Sequence, residues 1–339
     1  MKLTIVTINY NNAEGLKRTL DSVAAQTYRN IEHIIVDGGS TDGSMDVIKE
    51  YESLNHSSIH PLTINWVSES DKGIYNAMNK GIEIALGHRV VDAFNRSELV
   101  EDKNLGIEIA LGKRDVNSNH TSSPNSLNTK HSTLNESPCD YIQILNSGDI
   151  IAAPDVTERM FNALNSLNAK RSSLNEDAVG ILYGNMIKKV YATGKIIGKS
   201  TEVEYSLRQY YSSTMNHDCC YIRRDLFETY GLYAENLKIV SDWKWFLQII
   251  GFGKVKPVYV DIDVTIFDAS GISESNLALR NEERRQVLEE VLPPAVLADY
   301  DAHAFEMEQM SRLRRHHIYW FVYFIERILF KLEKWHILR

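Results

Sequence analysis

Between residues 31 and 51 the run IEHIIVDGGSTDGSMDVIKEY passes from a strand pattern to a helix pattern through a bend that packs Asp37 and Asp42 among glycines and hydroxyls. Three other apolar runs end in a similar way. Asn9, Asn11 and Asn12 follow the first, Glu69 and Asp71 follow INWVS, and Asn146 and Asp149 follow YIQIL. One polar residue after a strand is ordinarily a turn former. Carboxylates and amides at four strand exits suggest more, because ligands of open α/β sheets sit at the carboxyl ends of strands, where helix N-termini and exposed amides meet. The sequence has no GxxxxGK[ST], and no GxGxxG follows the first strand. A Walker loop is therefore excluded, and the usual dinucleotide fingerprint is missing. A site rich in carboxylates and poor in fixed cations holds a diphosphate through a divalent metal. Mg²⁺ or Mn²⁺ takes oxygen ligands and bridges carboxylate to substrate phosphate, and Asp149, at the lip of an apolar strand, is the candidate ligand.

These residues need a scaffold of alternating elements. LTIVTINY (3–10) is a strand; Leu16, Leu20, Val23 and Ala24 then recur at helical spacing, with Asn12 placed as the cap. Strand and helix alternate again at 31–37 with GSMDVIKEY, and at 62–68 with 74–86. Such repetition predicts parallel pairing with helices on both faces. Further strands are expected at 140–150, 180–190 and 256–262. Asp42 is expected to cap the helix that starts near Ser44.

The order breaks between the third unit and the fourth strand. GIEIALG occurs at 81–87 and again at 106–112, as a local tandem duplication would leave it. Only one copy can be the native helix end. From Lys113 to Pro138 the chain is mainly Ser, Asn, Thr and His, a composition that cannot offset its own ordering entropy. Residues 88–139 therefore read as a solvent-exposed, mobile insertion.

After Asp268 the pattern is helical. Residues 312–339 hold seven Lys/Arg against two Glu in a chain whose net charge is −8. Ile318, Phe321, Ile325, Ile328, Leu329 and Leu332 form an apolar stripe, with Arg327, Lys331 and Lys334 to one side. Two readings stand side by side: a helix lying in a membrane interface, or one docked on the sheet domain or on a second copy of the chain. The acidic balance argues against a nucleic-acid partner. Cys139, Cys219 and Cys220 form no CxxC pair and fit a reducing cytosol. The first strand begins at Leu3 with no basic and apolar leader before it, and no uncharged apolar run reaches spanning length, so the expectation is a cytoplasmic protein, peripheral at most on the inner membrane face.

Five ordered segments, TIVTINYNNAEGLKRTLDSVAAQTYRNIEHIIVDGGSTDGS, WVSESDKGIYNAMNKGI, YIQILNSGD, MNHDCCYIRRDLFETYG and LKIVSDWKWFLQI, resemble family 2 glycosyltransferases of the GT-A fold. The resemblance covers residues 3 to about 87 and 140 to about 265. It implies an α/β GT-A domain over 1–268, with a mixed, mostly parallel sheet flanked by helices, and a helical extension over 269–339. It implies transfer of a sugar, with inversion, from a nucleoside diphosphate sugar, a UDP-sugar first, to a hydroxyl of a glycan or lipid-linked saccharide in cell-surface polysaccharide synthesis. By the same resemblance Thr7, Asn9 and Tyr10 line the nucleoside pocket, and Asp37 contacts base or ribose where Gly38 and Gly39 let backbone approach. Asp71, with Lys72 beside it, lies on the uracil side. The LNSGD segment resembles a DxD-type motif, with Asp149 as the metal ligand and Asn146 beside the nucleotide; Asn146 and Gly148 stand where acidic residues are frequent. Asp242, in IVSDWKWF, matches the catalytic base, and His217, in MNHDCC, a histidine near the diphosphate or acceptor, with Asp218 where the family has Gln.

The residues themselves leave a bland reading for each. Asp242 is placed to cap an apolar helix, Cys219 and Cys220 read as small core residues, and at least one of Trp243 and Trp245 reads as core rather than acceptor groove. Two other functions compete. A catalytically inactive nucleotide-sugar binding protein fits the substitutions around Asp149. A sugar-phosphate nucleotidylyltransferase would need a glycine-rich basic loop after the first strand, which NYNNAEG does not supply.

Overall fold

The computed structural model describes residues 1–57, 59, 61–89, 140–269, 276–315 and 317–334. The expected insertion, the second GIEIALG copy and Cys139 lie outside these residues, apart from the insertion's first two positions. The first copy serves as the helix end anticipated for one of the pair, with Gly87 at φ +76° just beyond it.

Strands β1 (Leu3–Asn9), β2 (Ile31–Asp37) and β3 (Thr63–Ser68) pair in parallel, separated in sequence by helices α1 (Ala13–Ala24) and α2 (Ser44–His56). Helix α3 (Ile74–Ala85) then carries the chain back across the sheet to β4 (Tyr141–Asn146), which pairs in parallel with the free side of β1. Both faces are covered, which is why these strands read as nearly continuous apolar runs. Ile35, with Leu16, Leu20, Ile48, Tyr51 and Trp66, packs under α1 and α2. Alternate residues Val6 and Val36 face α3 so closely that a Cβ on Gly81 would lie 2.2 Å from Val6.

The sheet continues through β5 (Ile150–Ile151), β6 (Ile181–Val190), β7 (Lys195–Ser200), β8 (Cys220–Arg223) and β9 (Val258–Asp268), in the order β3-β2-β1-β4-β8-β6-β9-β5 with β7 paired to β6. Strand β8 runs antiparallel to both β4 and β6, so the sheet is parallel on the N-terminal side and mixed beyond β4. The predicted fourth strand is broken at Gly148, which turns at φ +113° between β4 and β5. The predicted sixth extends to Asp268; Asp261 and Asp263 interrupt its apolar pattern and hide its length in the sequence. Strand β7 was not anticipated, because KIIGKS leaves Ile196 and Ile197 exposed at an edge and shows no alternation.

Helices α4 (Val156–Ser173), α5 (Leu207–Ser212), α6 (Arg224–Tyr230) and α7 (Ser241–Phe246) complete the sheet region; α8 (Leu277–Val291), α9 (Pro294–Arg314) and α10 (His317–Lys334) follow it. Val287, Leu288, Leu292 and Leu297 join the same core as the sheet, which anchors α8 and the start of α9. Helix α10 differs. Trp320, Phe321, Phe324 and Phe330 are each more than 60% exposed, and Ile325, Ile328 and Leu329 are exposed as well. The apolar stripe is therefore not docked on the described part of its own chain. No helix among the described residues is long and apolar enough to cross a membrane.

Candidate active site

Because α1 leaves β1 toward β2 while β4 lies on the other side, the carboxyl ends of β1 and β4 diverge and open a crevice between them. Asn12, the cap of α1 through its Oδ1 and the amide of Gly15 (3.1 Å), also spans this crevice by donating from Nδ2 to the carbonyl of Ser147 at 2.8 Å. The crevice belongs to a cleft of about 660 Å³ lined among others by Asn146, Asp149, His217 and Asp242.

Asp242 sits in the first turn of α7, with its side chain 13% exposed. Its Oδ2 lies 2.9 Å from His217 Nδ1 and its Oδ1 2.8 Å from the hydroxyl of Tyr75, which is also 2.6 Å from the carbonyl of Ile239. It lies inside the helix, whose N-cap residue is Val240, and so does not occupy the cap position of the bland reading. Burial alone would raise this carboxyl, but the bond and charge of His217 and the bond from Tyr75 outweigh it and hold Asp242 below the usual range. The same exchange acts on His217. Burial opposes its charge, yet Asp242, Asp218 and Asp149 together raise it to about 9, an imidazolium at neutral pH. His217 Nε2 is buried and has no hydrogen-bond partner in the protein.

Asp149, 2% exposed, accepts from the amide of Asp268 at 2.9 Å and from Asn146 Nδ2 at 3.1 Å. Burial, and then the Asp218 carboxylate, push it up to about 7. Asp218 is itself buried and accepts from the Thr265 hydroxyl at 2.6 Å. Repulsion between buried carboxylates is the condition that a divalent cation relieves. Among the described residues no group of three or more His, Cys, Asp or Glu is arranged to hold an ion. The donor set present fits a cation bound by Asp149 and completed by substrate phosphates, the habit of Mg²⁺ sites.

The residues expected at the nucleoside divide. Tyr10, Gly38 and Asp71 come together: a Cβ on Gly38 would lie 2.5 Å from Asp71 Oδ2 and 3.1 Å from the Tyr10 ring, so the missing side chain makes room for that carboxylate. Gly39 turns at φ +79° over the backbone of Ser70, and Tyr10 is 66% exposed at the mouth. Lys72 is exposed, and its amide donates to Asn76.

The side chains of Thr7 and Asp37 are engaged within the protein. The Thr7 hydroxyl is buried against His33 Nε2 at 2.9 Å, because odd residues of β1 point toward α2. Asp37 is fully buried and accepts five hydrogen bonds, from Asn9 Nδ2, the amides of Gly39 and Ser40, and the hydroxyls of Ser40 and Ser68. With its oxygens so engaged, Asp37 shapes the floor of the turn, and Asn9 helps it do so. Asp42 accepts from Ser44 as expected and additionally from the amide of Ala13 at 2.8 Å, tying the starts of α1 and α2 together.

The two tryptophans also separate. Trp243 lines the cleft, whereas Trp245 stacks on Phe227 in the core at 4.6 Å. Tyr75, Asp268 and the arginines of α8 escaped sequence reasoning, and Asp218 was read only as a departure from the family motif. Tyr75 left one signal, its place within the DKGIYNAMN motif.

Residues 4–91 match the sequence profile of glycosyl transferase family 2. An uncharacterized glycosyltransferase of Mycobacterium tuberculosis is 45% identical over 86 residues, 25% of this chain and 30% of the relative. Glycosyltransferase GlyA of Streptococcus pneumoniae is 34% identical over 89 residues, 26% of this chain and 12% of the relative. The chain thus spans about a third or less of the length of these curated relatives. Among solved structures, Staphylococcus aureus TarS 1–349 in complex with UDP-GlcNAc superposes with a TM-score of 0.52 at 14% identity, over 88% of this chain and 70% of that one. The mannosyltransferase PcManGT of Pyrobaculum calidifontis, in complex with GDP-Man and Mn²⁺, gives 0.51 at 14%, over 90% and 69%. The fold is that of GT-A glycosyltransferase structures, and the match to the family 2 profile lies within residues 4–91.

Proposed function

We propose that this chain transfers a sugar, with inversion, from a nucleoside diphosphate sugar, a UDP-sugar first, to a hydroxyl of a glycan or lipid-linked saccharide in cell-surface polysaccharide synthesis. The observation that carries the reading is Asp242, held ionised by His217 and Tyr75 in the cleft that Asp149 also lines. In this reading the acceptor oxygen forms the bond to the anomeric carbon as the bond to the diphosphate oxygen breaks on the opposite face, and Asp242 takes the hydroxyl proton. Its depressed pKa suits a late transfer, once bond formation has made the alcohol acidic. His217 orients the carboxylate and turns its second N–H toward the diphosphate or acceptor. Inversion needs no second carboxylate beneath the sugar. Mg²⁺ or Mn²⁺, held by Asp149 and the donor phosphates, would supply positive charge at the leaving diphosphate. The neighbours named for UDP-GlcNAc and for GDP-Man with Mn²⁺ support a nucleotide-sugar donor and a metal.

Thermal stabilisation by UDP, GDP and dTDP, each with and without Mn²⁺, tests the donor site. A metal-dependent shift with one nucleotide is expected, and no shift with any of them overturns the reading. An inactive binding protein would bind nucleotide yet release none from a nucleotide sugar, and a turnover assay separates the two.

The exposed aromatics of α10 and the cations around it support contact with an anionic lipid surface, where a lipid-linked acceptor would lie. Full-length protein should pellet with phosphatidylglycerol vesicles and a chain ending at residue 316 should not. Equal pelleting, or self-association in place of pelleting, would exclude that role.

A further inference from the structure

The cleft that holds Asp242 also has a cationic lining. Arg280 and Arg284 reach it from α8, and Lys238 from the segment before α7. The two arginines stand one helical turn apart on one face, where like charges repel. Arg284 lies with its guanidinium carbon 4.4 Å from the centre of the Trp243 ring and donates to the carbonyls of Ser213 (3.1 Å) and Tyr211 (3.4 Å). Burial, and then the charge of Arg280, lower its pKa to about 10. Among the described residues no carboxylate lies within 4.0 Å of Arg284.

This repulsion is held in place. Glu283, 6% exposed, accepts from the amides of Lys238 (2.7 Å) and Ile239 (2.9 Å), and Val287 is fully buried. An anchored helix therefore carries two arginines to one wall of the cleft, one of them over the ring of the residue that follows Asp242. The fork geometry of arginine matches phosphate oxygens. In the donor reading proposed above, the diphosphate is held from the Asp149 side of this same cleft, at the exit of β4.

We propose that Arg280 and Arg284 form the anion subsite of the acceptor, so that the compound whose hydroxyl reaches Asp242 carries a phosphate group. This rests on the glycosyltransferase reading above for the meaning of the site, though not for the existence of an anion site. The phosphate belongs either to a lipid-linked saccharide or to a soluble phosphorylated glycan, and the pocket chemistry is shared.

The test titrates sn-glycerol 3-phosphate and inorganic phosphate into full-length protein, alone and saturated with UDP and Mn²⁺, by calorimetry. Binding that persists with UDP bound is expected, weakened at least about tenfold in Arg284→Gln and Arg280→Gln and less in Arg284→Lys. Arg280→Gln serves if Arg284→Gln proves unstable by its melting temperature. Vesicles containing phosphatidic acid, compared with glycerol phosphate, distinguish the lipid-borne source, with the same arginine dependence required. Phosphate binding that vanishes when UDP is bound, or variants that weaken UDP and spare phosphate, would assign the arginines to the donor and overturn the proposal. So would the absence of phosphate binding in every condition. Arginine-dependent phosphate binding in a protein that binds no nucleotide would keep the anion site and remove the donor reading.

Discussion

The turns after β1, β2 and β3 and the wall built by His217, α7 and α8 serve one cleft region but treat polar groups in opposite ways. In the first, Asp37 has five donors, Asp42 bridges two helix starts, and Asp71 accepts from the amide of Gly73 at 2.8 Å; Asn9 Oδ1 is an exception, buried without a partner. In the second, buried charges lean on one another, His217 raised and Asp242 lowered, and His217 Nε2 and Ser241 Oγ are buried without partners. A satisfied network fixes shape, whereas an unsatisfied one keeps binding capacity in reserve for a ligand. The first region is thus a cradle and the second a reactive surface.

The sharpest way to break that distinction is Asp242→Asn, which should cut turnover by about 10²–10⁴ while nucleotide affinity, followed by thermal shift, stays unchanged. Loss of nucleotide binding instead would merge the two regions. Asp37→Ala should act in the reverse sense: removing a buried acceptor from five donors, most of them part-buried, should cost about 2–4 kcal/mol in urea unfolding. A stable Asp37→Ala protein with only nucleotide affinity lost would mean that Asp37 touches ligand after all.

The pH dependence of stability sharpens the contrast, because a buried histidine serves each region. His33, between Thr7 and Tyr51 (3.0 Å), is held neutral by burial, its pKa lowered to about 3. The unfolded chain binds that proton more readily, so its contribution is present above about pH 6.5 and is lost as pH falls from there toward 3. His217 has the opposite sign. Its folded pKa lies above the unfolded one, so its contribution is complete below about pH 6.5 and disappears as pH rises through about 9. Unfolding free energies of wild type, His33→Gln and His217→Gln across pH 4–10 should show the acid limb flattened in the first variant and the alkaline limb in the second. The smallest effect is expected for Lys72→Ala, an exposed side chain whose removal should change stability by less than about 0.5 kcal/mol.

Sequence legibility followed the same division. The strand and helix units of the first half could be read because both faces of their strands are buried, because Asn12 caps α1, and because Asp42, just before the Gly43 N-cap, accepts from the first amide of α2. Asp149, His217 and Asp242 were legible as ordered motifs. Their partners were not, since Tyr75 and Asp242 are 167 positions apart and nothing in a helix labelled NEERRQVLEE marks Arg284 as facing a cleft. Thr7 and Asp37 show the converse limit. Motif position located their strand ends, but only strand register and hydrogen-bond saturation decided which way their side chains point.

Glu283 carries a consequence for synthesis. The turn that presents Asp242 is braced by a residue translated 44 positions after Ile239. A nascent chain that has just released β9 holds a finished cradle and an unbraced Asp242 turn, and maturation waits on α8. A cut placed at the end of the sheet would therefore yield a protein that looks complete by its strands yet arrives with Asp242 unset.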